Sequence, residues 1–249
     1  MRLTVIGCAG SFPSADSPAS CYLIEHDGHR ILLDLGNGAL GALQRHIDLT
    51  WPGALDAVIL SHCHVDHCVD VASLYVQRHY APTPSGALLP ILGPSDAQGR
   101  IAAIYGMNDP AMLDAEFSFE HLGSARSIGP ITIDAVPAAH PVESYSIRVS
   151  AGGSSLVYSG DTGPTQSLVD FSAGADLALY EASFVGEGNP PDLHMSGADA
   201  GRIASAAQVR TLVLTHRVGW NDDAIVLREA ASHYDGPILL ASAGQVIDL

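Results

Sequence analysis

Basic residues are scarce in this sequence, which has 11 Lys and Arg against 27 Asp and Glu and a formal net charge of −16. Proteins that bind long nucleic acids use Lys and Arg to displace the counterions of the phosphate backbone. The sequence contains no basic run that would serve this purpose. We therefore expect no long nucleic acid as a partner. Bound cations would offset the negative charge locally and allow a small anionic substrate to bind.

Long hydrophobic runs and a cysteine framework are also absent. No apolar run reaches the ~18 residues that span a bilayer, and Met1–Gly7 is too short and too soon interrupted for a signal peptide. The chain of 249 residues has four cysteines, which are too few for a disulfide framework: Cys8, Cys21, Cys63 and Cys68. The expectation is a cytoplasmic protein with no membrane partner.

Short apolar strands alternate with amphipathic or Ala-rich helices. The predicted strands are Leu3–Ile6, Cys21–Glu25, Arg30–Leu33, Ala57–Leu60, Leu88–Leu92, Ile131–Val136, Ser144–Val149, Ser155–Tyr158, Leu177–Glu181, Thr211–Leu214, Ile238–Ala241 and Gln245–Ile247. The predicted helices are Gly38–His46, His67–Gln77, Asp96–Ile104, Gln166–Phe171, Gly197–Ala207 and Asp222–Ser232. Two stretches rich in Pro and Gly predict loops over a site: Ala81–Gly86 and Val185–Pro191. Early hairpins followed by strand-helix units indicate one α/β domain over residues 1–249, with two sheets and helices outside.

A dense cluster of metal-binding side chains directly follows the predicted strand Ala57–Leu60. It comprises His62, His64, Asp66 and His67, whose nitrogen and oxygen atoms are ligands for transition metals. Side chains alternate along an extended strand end, so His62 and His64 should point the same way. A helix that begins near Asp66 would aim Asp66 and His67 at a second ion, and two metals about 3.5–4 Å apart are typical of phosphoester hydrolysis.

Other interpretations of this cluster are less favourable. A lone His is usually a surface or core residue, and a His-rich tract can be a tag or a low-complexity run. This tract is internal, follows a strand and has a strict His-x-His-x-Asp-His spacing. Cys63 lies between two of the histidines and should point away from the ions, so we do not expect it to be a ligand.

Three further donors stand where predicted strands open into loops: His140, Asp161 and His216. Taken singly, each has an ordinary explanation. His140 could cap a loop, Asp161 could be a turn residue beside two glycines, and His216 could be a surface histidine. Together with the first cluster they supply the seven donors that a dinuclear site requires.

This ordered set resembles the metal motifs of the metallo-β-lactamase superfamily, and the resemblance covers nearly the whole chain. It implies a four-layer αβ/βα sandwich with the metals at one edge between the sheets. The implied ligands are His62, His64 and His140 for one ion, Asp66, His67 and His216 for the other, and Asp161 as the bridge between them. It also implies that Asp34, which matches the superfamily's first motif, orients a ligand histidine.

Further segments are similar to the branch of the superfamily that contains RNase Z and cyclic-nucleotide phosphodiesterases. They are Glu181-Ala182-Ser183-Phe184, His194-Met195-Ser196 and His140-Pro141…Tyr145. This resemblance implies that His194 acts at the scissile phosphate and that Glu181 pairs with it, because a cationic His beside a carboxylate can protonate a leaving alkoxide. Asp66 is expected to serve catalysis as well as metal binding. The alternative for His194 is that it caps the following helix together with Ser196.

One departure from RNase Z separates the members of this branch. RNase Z proteins carry a long basic arm, which in one bacterial type lies between the third and fourth motifs. Here the segment between His140 and Asp161 reads as a single hairpin formed by Val142–Val149 and Ser154–Tyr158, with no room for an arm. The loops are instead similar to those of compact actinobacterial cyclic-nucleotide phosphodiesterases that open cAMP. These loops are Gly7–Ser11, Ser17–Ser20 and Asp192–Gly197.

The predicted activity is therefore hydrolysis of a 3′,5′-cyclic nucleotide, with cAMP first, by a hydroxide that bridges two divalent ions. Zn²⁺ is the first expectation, while Mn²⁺ and Fe²⁺ stay open, and the resemblance implies a homodimer. Residues proposed to hold the base and ribose are Tyr75, His79, Tyr80 and the segment Ala103–Pro110. The alternatives are an RNase Z-type endonuclease acting on tRNA 3′ ends, a lactonase, thioesterase or β-lactamase, and a metal-sensing module without catalysis.

Overall fold

Hairpins followed by parallel strands form the first sheet. The structure, a computed structural model, describes residues 1–51, 53–82 and 86–249. Within that part the strands of this sheet are β1 (Arg2–Gly7), β2 (Cys21–His26), β3 (His29–Leu33), β4 (Ala57–Ile59), β5 (Leu89–Gly93) and β6 (Phe117–His121), with β14 (Val246–Asp248) at the edge. The order is β14-β1-β2-β3-β4-β5-β6. β1, β2 and β3 pair antiparallel, and β3 to β6 run parallel.

The second sheet has the opposite arrangement along the chain. Its strands are β7 (Arg126–Ile128), β8 (Ile131–Pro137), β9 (Tyr145–Ala151), β10 (Ser154–Tyr158), β11 (Leu177–Glu181), β12 (Leu212–Thr215) and β13 (Ile238–Leu240). They lie in the order β13-β12-β11-β10-β9-β8-β7. β7 to β10 pair antiparallel, and β10 to β13 run parallel.

Helices cover the outer faces of both sheets. They are α1 (Ala39–Leu43), α2 (Val65–Cys68), α3 (Asp70–Tyr80), α4 (Ala97–Tyr105), α5 (Gln166–Phe171), α6 (Gly197–Ala206) and α7 (Asp223–Ala231). Alternation along the strands divides the buried residues between layers, since Leu23 and Leu32 pack with α1, α3 and α4, while Tyr22 and Ile31 face the second sheet. A third core joins the second sheet to α5, α6 and α7. This is the four-layer αβ/βα sandwich that the family resemblance implies.

The predicted strands all occur, with ends shifted by a residue or two, and the differences are local. Two strands and one short 3-10 helix were not predicted: β6, β7 and Pro110–Ala115. The predicted helix His67–Gln77 is two helices, α2 and α3, which meet at Val69. Of the predicted loop Ala81–Gly86, residues 83–85 lie outside the described residues.

The carboxyl ends of the parallel strands meet at one edge of the sandwich. β3 is followed by Asp34, β4 leads to His62, β10 leads to Asp161, and β12 is followed by His216. Ligands in open α/β sheets bind outside this end of the strands. No helix in the described ranges is long and apolar enough to cross a membrane. The assignment of residues 1–249 to one domain stays a prediction.

Candidate metal centre

Three imidazoles converge on one side of the centre. His64 has extended backbone and immediately precedes α2, so its side chain stays beside that of His62. Its Nδ1 lies 3.0 Å from His62 Nε2 and 3.2 Å from His140 Nε2. Asp161 Oδ2 completes this group at 3.7 Å from His62 Nε2. The predicted orientation of the first two histidines is thus present, and His140 joins them from the end of β8.

A second group of donors lies on the other side of Asp161. His67 Nε2 and His216 Nε2 are 3.1 Å apart, and Asp66 Oδ2 is 3.1 Å from His216 Nε2. Asp161 Oδ1 lies 3.2 Å from His67 Nε2 and 3.4 Å from His216 Nε2. The two oxygens of Asp161 therefore face different groups of donors.

These donors have the spacing of metal ligands, and three of the imidazoles are held in the neutral form. Tetrahedral coordination at about 2.0–2.1 Å sets ligand atoms about 3.3 Å apart, close to the nitrogen separations of 3.0, 3.1 and 3.2 Å found here. Burial lowers the pKa of three imidazoles, which favours the neutral form that binds metals: His62, His64 and His140. Among the described residues, buried Asp161 Oδ1 has no hydrogen-bond donor. Both groups can hold an ion.

Asp34 holds a proton on Nδ1 of one candidate ligand, His67. It is fully buried at the end of β3 with a left-handed φ of 59°. Its Oδ2 accepts hydrogen bonds from His67 Nδ1 at 2.7 Å and from Tyr158 Oη at 2.7 Å, and Ser61 donates to both carboxylate oxygens. Because Nδ1 carries the proton, Nε2 of His67 is left free to bind a metal. This is the contact that the resemblance implies for Asp34.

The other imidazoles are held by partners that the sequence did not identify. His140 Nδ1 donates to the carbonyl of Leu193 at 2.9 Å. His216 Nδ1 lies 2.8 Å from Ser183 Oγ. Ser183 lies in the segment Glu181-Ala182-Ser183-Phe184, which the sequence analysis had already selected, so the sequence contained a signal for this residue. A backbone carbonyl such as that of Leu193 leaves no signal in the sequence.

Partly buried His194 and buried Glu181 form a pair beside both groups of donors. Glu181 Oε1 accepts hydrogen bonds from His194 Nδ1 and from the Thr162 amide, both at 2.9 Å. The His194 ring lies 5.5 Å from that of His140 and 5.6 Å from that of His216. Burial disfavours the cation, but the bond to Glu181 outweighs it and raises the pKa of His194 to about 9. The imidazole is therefore held as a cation at neutral pH.

The alternative role of His194 as a helix cap does not fit the contacts. Ser196 Oγ accepts from the Asp199 amide, and the Asp199 carboxylate accepts from the Ser196 amide in return. This capping box satisfies the start of α6. His194 uses its Nδ1 for Glu181 instead.

Comparison with known proteins now identifies the family. Residues 29–217 match the family described as the beta-lactamase superfamily domain. The chain belongs to the beta-lactamase superfamily. Within it, the chain is 43% identical over 258 residues to an uncharacterised protein of Mycobacterium leprae, covering 100% of this chain and 89% of the relative.

Two further members of the superfamily add structural and functional context. The metallo-beta-lactamase fold protein YhfI of Bacillus subtilis is 30% identical over 250 residues and covers 99% of both chains. Its crystal structure superposes with a TM-score of 0.87 over 99% of this chain and 98% of that one. A ribonuclease Z of Bradyrhizobium diazoefficiens is 26% identical over 302 aligned positions, covering 98% of this chain and 99% of the relative. With the His/Asp cluster in place, the chain is a metallohydrolase of this superfamily.

Two other expectations about the centre can be compared with the structure. Cys63 packs against the core between the first sheet and its helices, near Cys68 and outside the donor groups, as expected. Tyr75 is buried in that same core and stacks on His79 at 5.1 Å. Tyr80 ends α3, whose 11 residues give the helix a length of about 16 Å. Tyr75 therefore packs the helix layer, whereas Tyr80 is exposed.

Proposed function

We propose that this metallohydrolase is a dinuclear phosphodiesterase that hydrolyses 3′,5′-cyclic nucleotides, with cAMP as the first candidate and AMP as the product. The observation that carries the proposal is the His194–Glu181 pair beside the two groups of metal donors. A cationic imidazole at this position can protonate the ribose 3′-oxygen as it leaves phosphorus. Opening of a lactone also releases an alkoxide, so the substrate screen below separates the two ester classes.

Two ions would be held by the groups that meet at Asp161. One group is His62, His64, His140 and Asp161, and the other is Asp66, His67, His216 and Asp161. When bound, two divalent cations supply Lewis acidity toward the phosphate and lower the pKa of water to about 7. His and Asp donors accept Zn²⁺, Mn²⁺ or Fe²⁺. We assign Asp66 to the second group. Its carboxylate also places negative charge beside the reacting phosphate.

The chain's own contribution to bond cleavage is a positioned proton. Glu181 is buried and holds His194 as a cation, so the Nε2–H of His194 is available to the substrate. As water adds to phosphorus it releases a proton to solvent, the bond from phosphorus to the ribose 3′-oxygen breaks, and that oxygen takes the Nε2 proton. The products are the 5′-monophosphate and neutral His194, which regains a proton from solvent.

Three features favour a small substrate over tRNA. The net charge is −16, which opposes binding of a polyanion. β9 and β10 form one hairpin closed at Gly152-Gly153, so no arm lies between His140 and Asp161. The alignment with the ribonuclease Z relative runs over 302 positions, more than the 249 residues of this chain. That relative therefore carries insertions that this chain lacks.

A substrate screen with one variant and one control tests the proposal. Protein loaded with Zn²⁺ or Mn²⁺ should convert cAMP to 5′-AMP, as followed by chromatography. His194→Ala should lower kcat by about 10²–10⁴ while the metal content per chain is unchanged. His46→Ala, a change of an exposed histidine next to α1, should leave both quantities as they are.

The same screen contains the contradicting results. Cleavage of a precursor tRNA without turnover of cyclic nucleotides would assign the chain to the RNase Z activity. Opening of a lactone, with no turnover of cAMP or of bis-p-nitrophenyl phosphate, would assign it to another ester class. Loss of metal in His194→Ala would move His194 from proton donation to ligation.

A further inference from the structure

Two large aromatic side chains stand exposed and in contact on the surface. Trp220 is 74% exposed and Phe12 is 42% exposed. Their ring centroids are 5.4 Å apart with an angle of 39° between the planes. Single exposed apolar residues are ordinary, but two exposed aromatic rings in contact offer a face on which another planar ring can stack.

The turn that carries Trp220 is tied to a proposed metal ligand. Asn221 closes the turn by donating its amide to the Val218 carbonyl at 2.9 Å. The Asn221 side chain donates to the carbonyl of Ser183 at 2.7 Å, and Ser183 Oγ in turn contacts His216 Nδ1. Trp220 is therefore held four residues beyond His216 by contacts to the same support.

The loop that carries Phe12 is fixed against the same histidine from the other side. The Gly10 amide donates to the Arg217 carbonyl at 3.1 Å, and the Ser11 amide lies 3.4 Å from His216 Nε2. A Cβ atom at Gly10 would come within 2.4 Å of the His216 carbonyl oxygen, so only glycine allows this approach. Ser11 takes a left-handed φ of 63° to turn the chain toward Phe12.

We propose that Phe12 and Trp220 form a stacking platform for the nucleobase of the substrate, at the mouth of the metal centre. The inference rests on the proposed function and names residues that determine its specificity. Stacking on an uncharged aromatic face does not depend on basic residues, so it suits a chain with a net charge of −16. The polar support around His216 holds both aromatic residues in place before the substrate arrives.

The second exposed tryptophan provides a matched control. Trp51 is 71% exposed, but it precedes β4, at the end of the first sheet opposite the metal centre. The chain contains two tryptophans, so Trp51→Phe leaves Trp220 as the sole indole reporter.

Kinetics and fluorescence test the platform together. Trp220→Ala should raise KM for cAMP by roughly 10- to 100-fold, the range of one lost base stack, and Phe12→Ala should raise it less. Trp220→Phe should restore most of the loss, and Trp51→Ala should change nothing. With methyl p-nitrophenyl phosphate, which has no nucleobase, the Trp220→Ala effect should fall below about 3-fold. In the Trp51→Phe background, AMP should quench the remaining fluorescence with saturation.

Several results would overturn the platform. One is an equal loss with the two substrates, which indicates a structural role for Trp220. Another is an unchanged KM together with a halved mass in light scattering, which assigns the aromatic pair to the homodimer expected from the sequence. Absence of quenching by AMP also overturns it. If wild-type protein cleaves the base-free ester but not cAMP, the proposed function fails. Quenching by AMP then remains as the test of whether Phe12 and Trp220 bind a nucleobase.

Discussion

Asp34 shows how one residue orients a proposed metal ligand, His67. Its carboxylate is fully buried and accepts from Ser61, Tyr158 and His67. A buried carboxylate without such partners would be costly, so the residue and its donors depend on one another. The left-handed backbone at Asp34 turns the chain directly after β3 and points the side chain beneath His67.

Replacing that carboxylate by an amide should weaken metal binding. We expect Asp34→Asn to reduce the metal affinity about 10- to 100-fold, because the amide no longer stabilises the Nδ1–H tautomer of His67 with a full charge. Competition between the protein and a chelator measures this affinity. Asp27→Asn is the matched control, since Asp27 has a similar φ of 46° but lies exposed in the turn between β2 and β3. Equal affinities in the two variants would refute the role of Asp34.

At this scale the sequence was most informative where chemistry is concentrated. His62, His64 and His67 lie in one short motif, so they can be recognised as metal donors from the sequence alone. His140 and His216 are each surrounded by unremarkable residues, and only their position after strands and the family resemblance made them candidates. Ser183 contacts His216 although the two residues are far apart in the chain. The local sequence around either residue does not predict this contact.

Among the elements, Glu143 joins three parts of the structure beside the metal centre. Its Oε2 accepts from Ser95 Oγ at 2.5 Å, after β5. Its Oε1 accepts from His121 Nε2 at 2.9 Å, at the end of β6, and from Tyr145 Oη at 2.7 Å, at the start of β9. The hydrogen bond from Ser95, against the opposing effect of burial, contributes most to lowering the pKa of Glu143 to about 2. Glu143 therefore links the two sheets at their shared edge.

The lowered pKa gives a prediction with a definite sign. The folded-state value of about 2 lies below the unfolded value of about 4.3, so the stabilisation is complete above about pH 5 and disappears as pH falls toward 2. Glu143→Gln should lower the free energy of unfolding by about 1 kcal/mol at pH 7, a figure that allows for partial exposure. The loss should be smaller at pH 3.5. Urea titrations at the two pH values measure it.

The control and the contradicting result for Glu143 are direct. Glu187→Gln changes an exposed carboxylate on the loop before α6 and should leave stability unchanged at both pH values. A loss in Glu143→Gln that is the same at pH 3.5 as at pH 7 would show that the charge of Glu143 does not contribute.

The elements missed in the sequence share a physical cause. β6, with the sequence Phe-Ser-Phe-Glu-His, lies at the edge of its sheet with most of its residues only partly buried. β7 is three residues long, starts with an exposed Arg126 and lies at the edge of the other sheet. Such strands form because a neighbouring strand offers hydrogen bonds, which is a tertiary contact. The central strands carry continuous apolar runs, typical of strands covered on both faces, and were predicted.

For the whole molecule, the fold explains why donors so far apart in sequence meet. Parallel strands in both sheets end at one edge, and the residues that follow β3, β4, β10 and β12 are Asp34, the His62 motif, Asp161 and His216. The strand and helix patterns predicted two sheets with helices outside, and the family resemblance implied the four-layer arrangement. The relative rotation of the two sheets, which sets every distance in the centre, depends on packing across their shared core and was not predictable from local sequence.

Anomalous diffraction from crystals grown with Zn²⁺ or Mn²⁺ tests the central claim most directly. The account predicts two peaks about 3.5–4 Å apart, one on each side of Asp161, with three imidazoles around the first and Asp66, His67 and His216 around the second. A single peak at Asp161 would contradict the dinuclear centre. A peak among Glu181, His194 and His216, which also lie close enough to hold an ion, would remove the proton donor and the proposed mechanism with it.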